Sequence, residues 1–192
     1  MKPHTRRRSI RLQNYDYSQP GAYFVTICTY KKRFLFGQIV DGEMQLNKTG
    51  YLVQSIWESI HVRFPAIQLD TFIVMPNHIH GIILIAEDRV GAIHAVSYRR
   101  VAGSRGTNGE LPLPQTRIQR RRMLLPKVIG YFKMNTAKQV NKMHDTQGTS
   151  LWQRNYYEHV ICSEDELLRT RKYILNNPAR WFEDPNNPIQ AS

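Results

Sequence analysis

The stretch Phe72-Ile-Val-Met-Pro-Asn-His-Ile-His-Gly-Ile-Ile-Leu-Ile85 constrains the fold of this chain more than any other. Two Ile- and Val-rich runs flank Pro76-Asn77, a pattern that predicts two short buried strands joined by a tight connection. Polar side chains are costly inside such a run, yet His78 and His80 sit in it with Ile79 between them. Successive strand residues point to opposite sheet faces, so the two imidazoles share one face and Ile79 takes the other. Two readings of the pair stand side by side. Neutral imidazoles on a rigid strand can hold a divalent metal, or they can simply hydrogen-bond at a sheet face.

Length and charge narrow the classes open to such a chain. Its 192 residues suit one domain with a core of its own. No run approaches the roughly 18 apolar residues of a membrane span, and the basic N-terminus is followed by no apolar segment of signal-peptide type. Cys28 and Cys162 are far apart and lack metal spacing, which predicts reduced thiols in a cytoplasmic protein. Lys and Arg number 27 against 15 acids, a formal net charge of +12. An excess of that size favours polyanionic partners, nucleic acid first among them.

The basic residues are not evenly spread. The arm over 1–20 carries Lys2, Arg6, Arg7, Arg8 and Arg11 near its start, read either as phosphate contacts or as a soluble tail. A basic loop at about 88–123 is broken by Gly103, Gly106, Gly109, Pro112 and Pro114 and ends in Arg120, Arg121 and Arg122. Long loops inside a compact domain are usually functional or tolerated insertions, and backbone contact with nucleic acid is the preferred reading here. Between these segments, residues 22–30 predict a strand, and Phe36 to Asn47 a hairpin turning at Asp41-Gly42. Leu52, Ile56, Ile60 and Phe64 recur at four-residue spacing, which predicts a helix beginning near Asn47 or Thr49. Pro126 suits the first turn of another helix, with Val128, Ile129, Phe132, Thr136, Val140 and Met143 as its buried stripe. Lys127, Lys133, Lys138 and Lys142 lie largely elsewhere on that helix, with Lys133 and Lys138 as candidate phosphate contacts.

A strand over 156–162 and a final helix complete the order. Ser163 and Glu166 form a capping box, and Leu167, Leu168, Ile174 and Leu175 supply the apolar side. Thr170, Tyr173 and Asn177 make a second, polar row with Arg169 beside it, and Pro178 ends the helix. The whole pattern predicts an α+β domain over 21–182: a ferredoxin-like, RRM-like antiparallel sheet with helices packed on one face, followed by a tail over 183–192. Tyr131 with Asn135 is a rival helical pair for chemistry. Of Tyr156 and Tyr157, one is expected in the core while the other can stack on a base. His159 either supports the site or is structural, and Trp57, Trp152 and Trp181 are expected to pack.

Three segments together resemble the HUH single-tyrosine transposases, and in particular the REP-associated tyrosine transposases. They are Val74-Met-Pro-Asn-His-Ile-His-Gly81, Leu151-Trp-Gln-Arg-Asn-Tyr-Tyr-Glu-His-Val-Ile161 and Lys172-Tyr-Ile-Leu-Asn-Asn-Pro178. The resemblance implies that His78 and His80 bind Mg²⁺ or Mn²⁺ and that Tyr173 is the nucleophile. Asn177 stands where such enzymes place a third ligand, although insertion-sequence members have Gln there. The implied activity is cutting and rejoining of single-stranded, hairpin-containing DNA through a 5′-phosphotyrosine, with Arg169 and the metal easing formation of the phenolate. The implied partners are single-stranded repeat or hairpin DNA and, in one arrangement, a second copy of the chain, with no membrane. The alternative is a catalytically idle, domesticated DNA- or RNA-binding relative.

Overall fold

The computed structural model describes residues 15–86 and 123–188. Arg6, Arg7, Arg8, Arg120, Arg121 and Arg122, with most of the arm and the basic loop, lie outside the described residues. The described residues form six strands: β1 (Gly21–Cys28), β2 (Gly37–Val40), β3 (Glu43–Leu46), β4 (Ile67–Met75), β5 (His78–Ile85) and β6 (Tyr157–Ile161). The helices are α1 (Lys48–Glu58), the one-turn α2 (Ile60–Arg63), α3 (Leu124–Met143) and α4 (Glu164–Asn176). A 3₁₀ turn at Trp181–Glu183 follows α4.

Each element forms for a local reason. Asp41 and Gly42 both take positive φ, as a two-residue hairpin turn demands, and join β2 to β3. Asn47 caps α1 by accepting a 2.9 Å bond from Gly50 N–H. Ser163 caps α4 by accepting from Glu166 N–H at 3.2 Å. The expected return bond from Glu166 goes one residue further back, to Cys162 N–H at 2.7 Å, while its other oxygen meets His159 at 2.6 Å. The four-residue stripe from Leu52 to Phe64 is interrupted at Ser59, where the chain leaves α1 and re-enters as α2.

The four long strands form one antiparallel sheet in the order β4-β5-β1-β6, while β2 and β3 pair separately. With α1 before β4 and α3 before β6, this is the expected ferredoxin-like α+β arrangement. The pleat of β5 divides the interior into two clusters. Ile79, Ile83 and Ile85 join Val25, Ile27, Trp57, Val128, Ile129 and Phe132 between the sheet and α1 and α3. Ile82 and Leu84 join Ala22, Ile161, Leu167 and Ile174 under α4 on the other face. Helix α4 is thus additional to the one-sided helix pair and closes part of the face that the pair leaves open.

Gly81 is the one position on β5 where a side chain cannot be accommodated. A Cβ there would meet the Trp57 ring at 2.4 Å, so the glycine lets the indole lie against the strand. Several side chains depart from expectation. Leu168 and Leu175 are exposed, because the contact of α4 with the sheet narrows to Leu167 and Ile174, and Met143 is exposed at the end of α3. Residues 183–188 are no loose tail: Asp184 and Asn187 are buried against the end of α4. Both cysteines are free thiols. Among the described residues, no helix is long and apolar enough to cross a membrane.

Candidate active site

Strand pairing places the two histidines. His78 lies opposite Cys28 and His80 opposite Thr26 on β1, both on the α4 face of the sheet and both buried. The turn before them is fixed by Asn77, whose amide donates to the backbone oxygens of Lys32 at 3.2 Å and Asn186 at 2.8 Å. With its amide so engaged, the Asn77 side-chain oxygen is left to accept, and it does so from His78 Nδ1 at 2.8 Å. His78 therefore carries its proton on Nδ1 and turns the Nε2 lone pair into the site. His80 Nδ1 is engaged by Thr26 Oγ1 at 2.8 Å, which aims its Nε2 at the same point. The two Nε2 atoms are 3.0 Å apart.

Asp184, which sequence reasoning missed, closes the group. Its Oδ2 stands 3.8 Å from His78 Nε2 and 3.9 Å from His80 Nε2. Among the described residues, these three side chains form the group able to hold a metal, their donor atoms all within 4.8 Å of one another. A triangle with edges of 3.0, 3.8 and 3.9 Å has a centre about 2.1 Å from each corner, the bond length of Mg²⁺ to its donors. Asn177 is the fourth member. Its amide donates to Asp184 Oδ2 at 2.8 Å, while its buried oxygen accepts no hydrogen bond from any described residue. That orphaned oxygen is the kind of donor a hard cation takes. The residues fit a divalent ion.

Electrostatics agree with the geometry. Burial lowers the pKa of both histidines, most strongly at His78, where the neighbouring His80 adds to the effect, so both imidazoles are neutral at pH 7. Burial works against the Asp184 carboxylate, but His80, the Asn186 N–H, His78 and Asn177 outweigh it and hold the group well below the usual carboxylate range. The site thus combines neutral nitrogens with one anionic oxygen.

Tyr173 projects from α4 over this group, with its hydroxyl 3.4 Å from His80 Nε2 and its ring edge-on to the imidazole at 5.3 Å. It is 45% exposed and so reachable from solvent. All of these residues belong to one chain, so no second subunit is needed to bring phenol and histidines together. Burial, and then the Asp184 charge, push the phenol above its ordinary pKa, only partly offset by the Asn177 amide. Arg169 lines the same cleft, of about 440 Å³, together with Lys172, Asn176 and Arg180.

An ion pair, a side-chain hydrogen bond and a stacked ring hold the parts in register. Arg171 forms a two-bond fork to Asp70, at 2.9 and 2.5 Å, which ties α4 to the edge strand β4 at its bulge. His159 and Glu166 tie β6 to the first turn of α4. Trp181, expected only to pack, stacks on His78 at 6.0 Å with rings 26° apart.

Other candidates fall away from the site. Tyr131 packs edge-on against Phe64, and Asn135 donates to the Tyr131 carbonyl within α3. Lys133 donates to the carbonyls of Gln153 and Arg154, which makes it an anchor for the turn before β6 rather than a freely offered cation. Lys138 is exposed on α3. Asp184 had one faint signal in the sequence. A hard divalent ion prefers a carboxylate, and Glu183 and Asp184 are the only acids after Tyr173.

Comparison with known proteins places this geometry. No family model matches the chain. A protein of Haemophilus influenzae, itself uncharacterised, is 38% identical over 178 residues, which is 93% of this chain and 91% of that one. The solved structure of a REP-associated tyrosine transposase bound to a REP hairpin superposes with a TM-score of 0.50 and 15% identity, over 89% of this chain and 73% of that one. A Deinococcus radiodurans protein provisionally named a transposase aligns at a TM-score of 0.44 and 16% identity, over 86% of this chain and 95% of that one, too loosely to carry an argument. The second of these three establishes a shared fold.

Proposed function

The chain belongs to the family of the Haemophilus influenzae protein, and on that premise we propose that it is a metal-dependent tyrosine transposase that nicks and rejoins single-stranded DNA. The observation that carries the reading is the Tyr173 hydroxyl 3.4 Å from an imidazole whose neighbours can complete a divalent-cation site. The fold shared with a transposase holding a REP hairpin supports hairpin-containing DNA as the substrate.

In this reading His78 Nε2, His80 Nε2 and an Asp184 oxygen hold Mg²⁺ or Mn²⁺, and the Asn177 oxygen completes the protein ligands. When bound, the cation supplies positive charge that orients the scissile phosphate and favours the ionised phenol. Thr26 and Asn77 keep the two imidazoles turned inward. Tyr173 Oη attacks the phosphorus, the bond from phosphorus to the 3′-oxygen breaks, and the departing oxygen takes up a proton as the phenol loses one. The result is a 5′-phosphotyrosine and a free 3′-hydroxyl. Attack by another 3′-hydroxyl on that phosphotyrosine restores the phenol and joins the strands without an external energy source. Arg169, Lys172 and Arg180 border the cleft where the phosphate backbone would run.

Tyr173→Phe decides between enzyme and idle binder. With labelled single-stranded hairpin DNA and Mn²⁺, the wild type should yield a covalent protein–DNA adduct on a denaturing gel, and the variant none while still binding. An undiminished adduct in Tyr173→Phe, or full cleavage in EDTA, rules the mechanism out.

A further inference from the structure

The segment Leu151 to Ile161 contributes nothing to the proposed ligand set, yet its Tyr157 is linked to the nucleophile through one intervening ring. Tyr156 stands just before β6 and Tyr157 opens it, and the structure separates their roles. Tyr156 packs against the α1/α3 core, while Tyr157 lies on the opposite face, 40% exposed. Among the described residues, strand β6 is a sheet edge paired with β1 alone, and Tyr157 pairs with Thr26, the residue that engages His80.

Tyr157 rests edge-on against Phe24 at 6.2 Å. Phe24 is half-buried and in turn stacks on His80 at 5.4 Å and meets Tyr173 edge-on at 6.0 Å. One continuous aromatic row therefore runs from the reacting phenol to a large exposed ring on the sheet edge. Its surroundings suit a polyanion. Arg154 is exposed three residues before Tyr157, and its backbone carbonyl is pinned by Lys133. His159, the next residue on the same face of β6, is occupied by Glu166 and closes the far side of the patch.

We propose that Tyr157, backed by Phe24, is a stacking platform for a nucleobase of the single-stranded DNA next to the scissile phosphate. The proposal rests on the transposase reading for its choice of DNA. A base on the Tyr157 ring lies one aromatic step from Phe24 and two from Tyr173, so stacking there would place the adjoining phosphate toward the phenol. Stacking needs a π-face and tolerates any base, which suits a platform that sets position while sequence choice lies elsewhere. Phe24 is the poorer platform, because His80 is stacked on it and it is only half-exposed, whereas Tyr157 stands out at the edge.

The test uses the full chain in EDTA, where neither metal nor covalent chemistry contributes. Oligothymidylates carrying one 2-aminopurine, moved position by position, are titrated with wild type, Tyr157→Ala and Tyr157→Phe, and thermal melts check that each variant is folded. Wild type should quench the fluorophore at one position. Tyr157→Ala should lose the quench and bind about tenfold more weakly, while Tyr157→Phe should keep both within about twofold. Unchanged quench and affinity in folded Tyr157→Ala overturn the platform, as does a wild type that quenches at no position. An absent adduct with the quench intact sinks only the cutting chemistry. An intact adduct with a quench indifferent to Tyr157 sinks only the platform.

Discussion

The two faces of the central sheet are built from the same strands and do opposite jobs. Toward α1 and α3, β5 presents Ile79, Ile83 and Ile85 to a dry core in which Trp57 and Phe132 are fully buried. Toward α4 the same strand presents His78 and His80 to Asp184, Asn177 and a half-exposed tyrosine. A chain can carry buried imidazoles only where each polar atom is answered, and here Asn77 and Thr26 answer the Nδ1 atoms and turn the Nε2 atoms toward each other and Asp184. The lesson is one of division: the first face provides stability, and the second carries a polar cluster that alone would weaken the fold.

Substitutions on one face should therefore spare the function of the other. Tyr173→Phe should have the largest effect, a fall in adduct of at least about a thousandfold, with a melting temperature within a few degrees of wild type because the hydroxyl lies at a wet rim. Ile79→Ala, one residue from each histidine, should destabilise by about 2–5 kcal/mol in urea denaturation while the folded fraction keeps its chemistry. If Ile79→Ala abolished the adduct in protein shown to be folded, the separation of the faces would be wrong.

Smaller effects sharpen the picture. Asp184→Asn should weaken Mn²⁺ affinity roughly 10- to 100-fold in calorimetry, and the rise in melting temperature that Mn²⁺ gives wild type should shrink accordingly. Equal Mn²⁺ affinity in the variant would exclude the carboxylate from the ligand set. Asp70→Asn removes the anchor between β4 and α4. Because Arg171 is more than a third exposed, the stability lost should be only about 1 kcal/mol or less, yet adduct formation should slow as α4 loosens over the site.

The anchor also fixes a pH dependence. Burial works against the Asp70 carboxylate, but Arg171 and Thr71 outweigh it and hold its pKa below the ordinary value. Its stabilising contribution is complete above the unfolded pKa of about 4. It should disappear as pH falls through the lower folded value. The stability difference between wild type and Asp70→Asn should accordingly be flat from pH 5 to 8 and vanish in stronger acid.

Much of this was legible beforehand. The strand around His78 and His80, the Asp41-Gly42 turn, the Ser163 cap and the stop at Pro178 all follow from local pattern, because period, turn chemistry and capping act within a few residues. So did the pairing of the histidines on one face and the second, polar row on α4. Asp184 did not. Its role arises from a 3₁₀ turn that folds back beneath α4, and no spacing announces a contact between residue 184 and residues 78 and 80. The placement of α4 on the face opposite α1 and α3 was equally silent, since the pairs Leu167-Leu168 and Ile174-Leu175 do not say which member of each is covered.

Alternation along β5 was enough for the chain alone to decide that two imidazoles share a face and that isoleucines fill the other, because the pleat of a strand permits nothing else. Tertiary structure decided what those imidazoles meet. The approach of Tyr173, the carboxylate of Asp184, the orphaned oxygen of Asn177 and the aromatic row to Tyr157 depend on packing between segments about 100 residues apart, where the energy of each contact is set by what surrounds it and not by its neighbours in sequence.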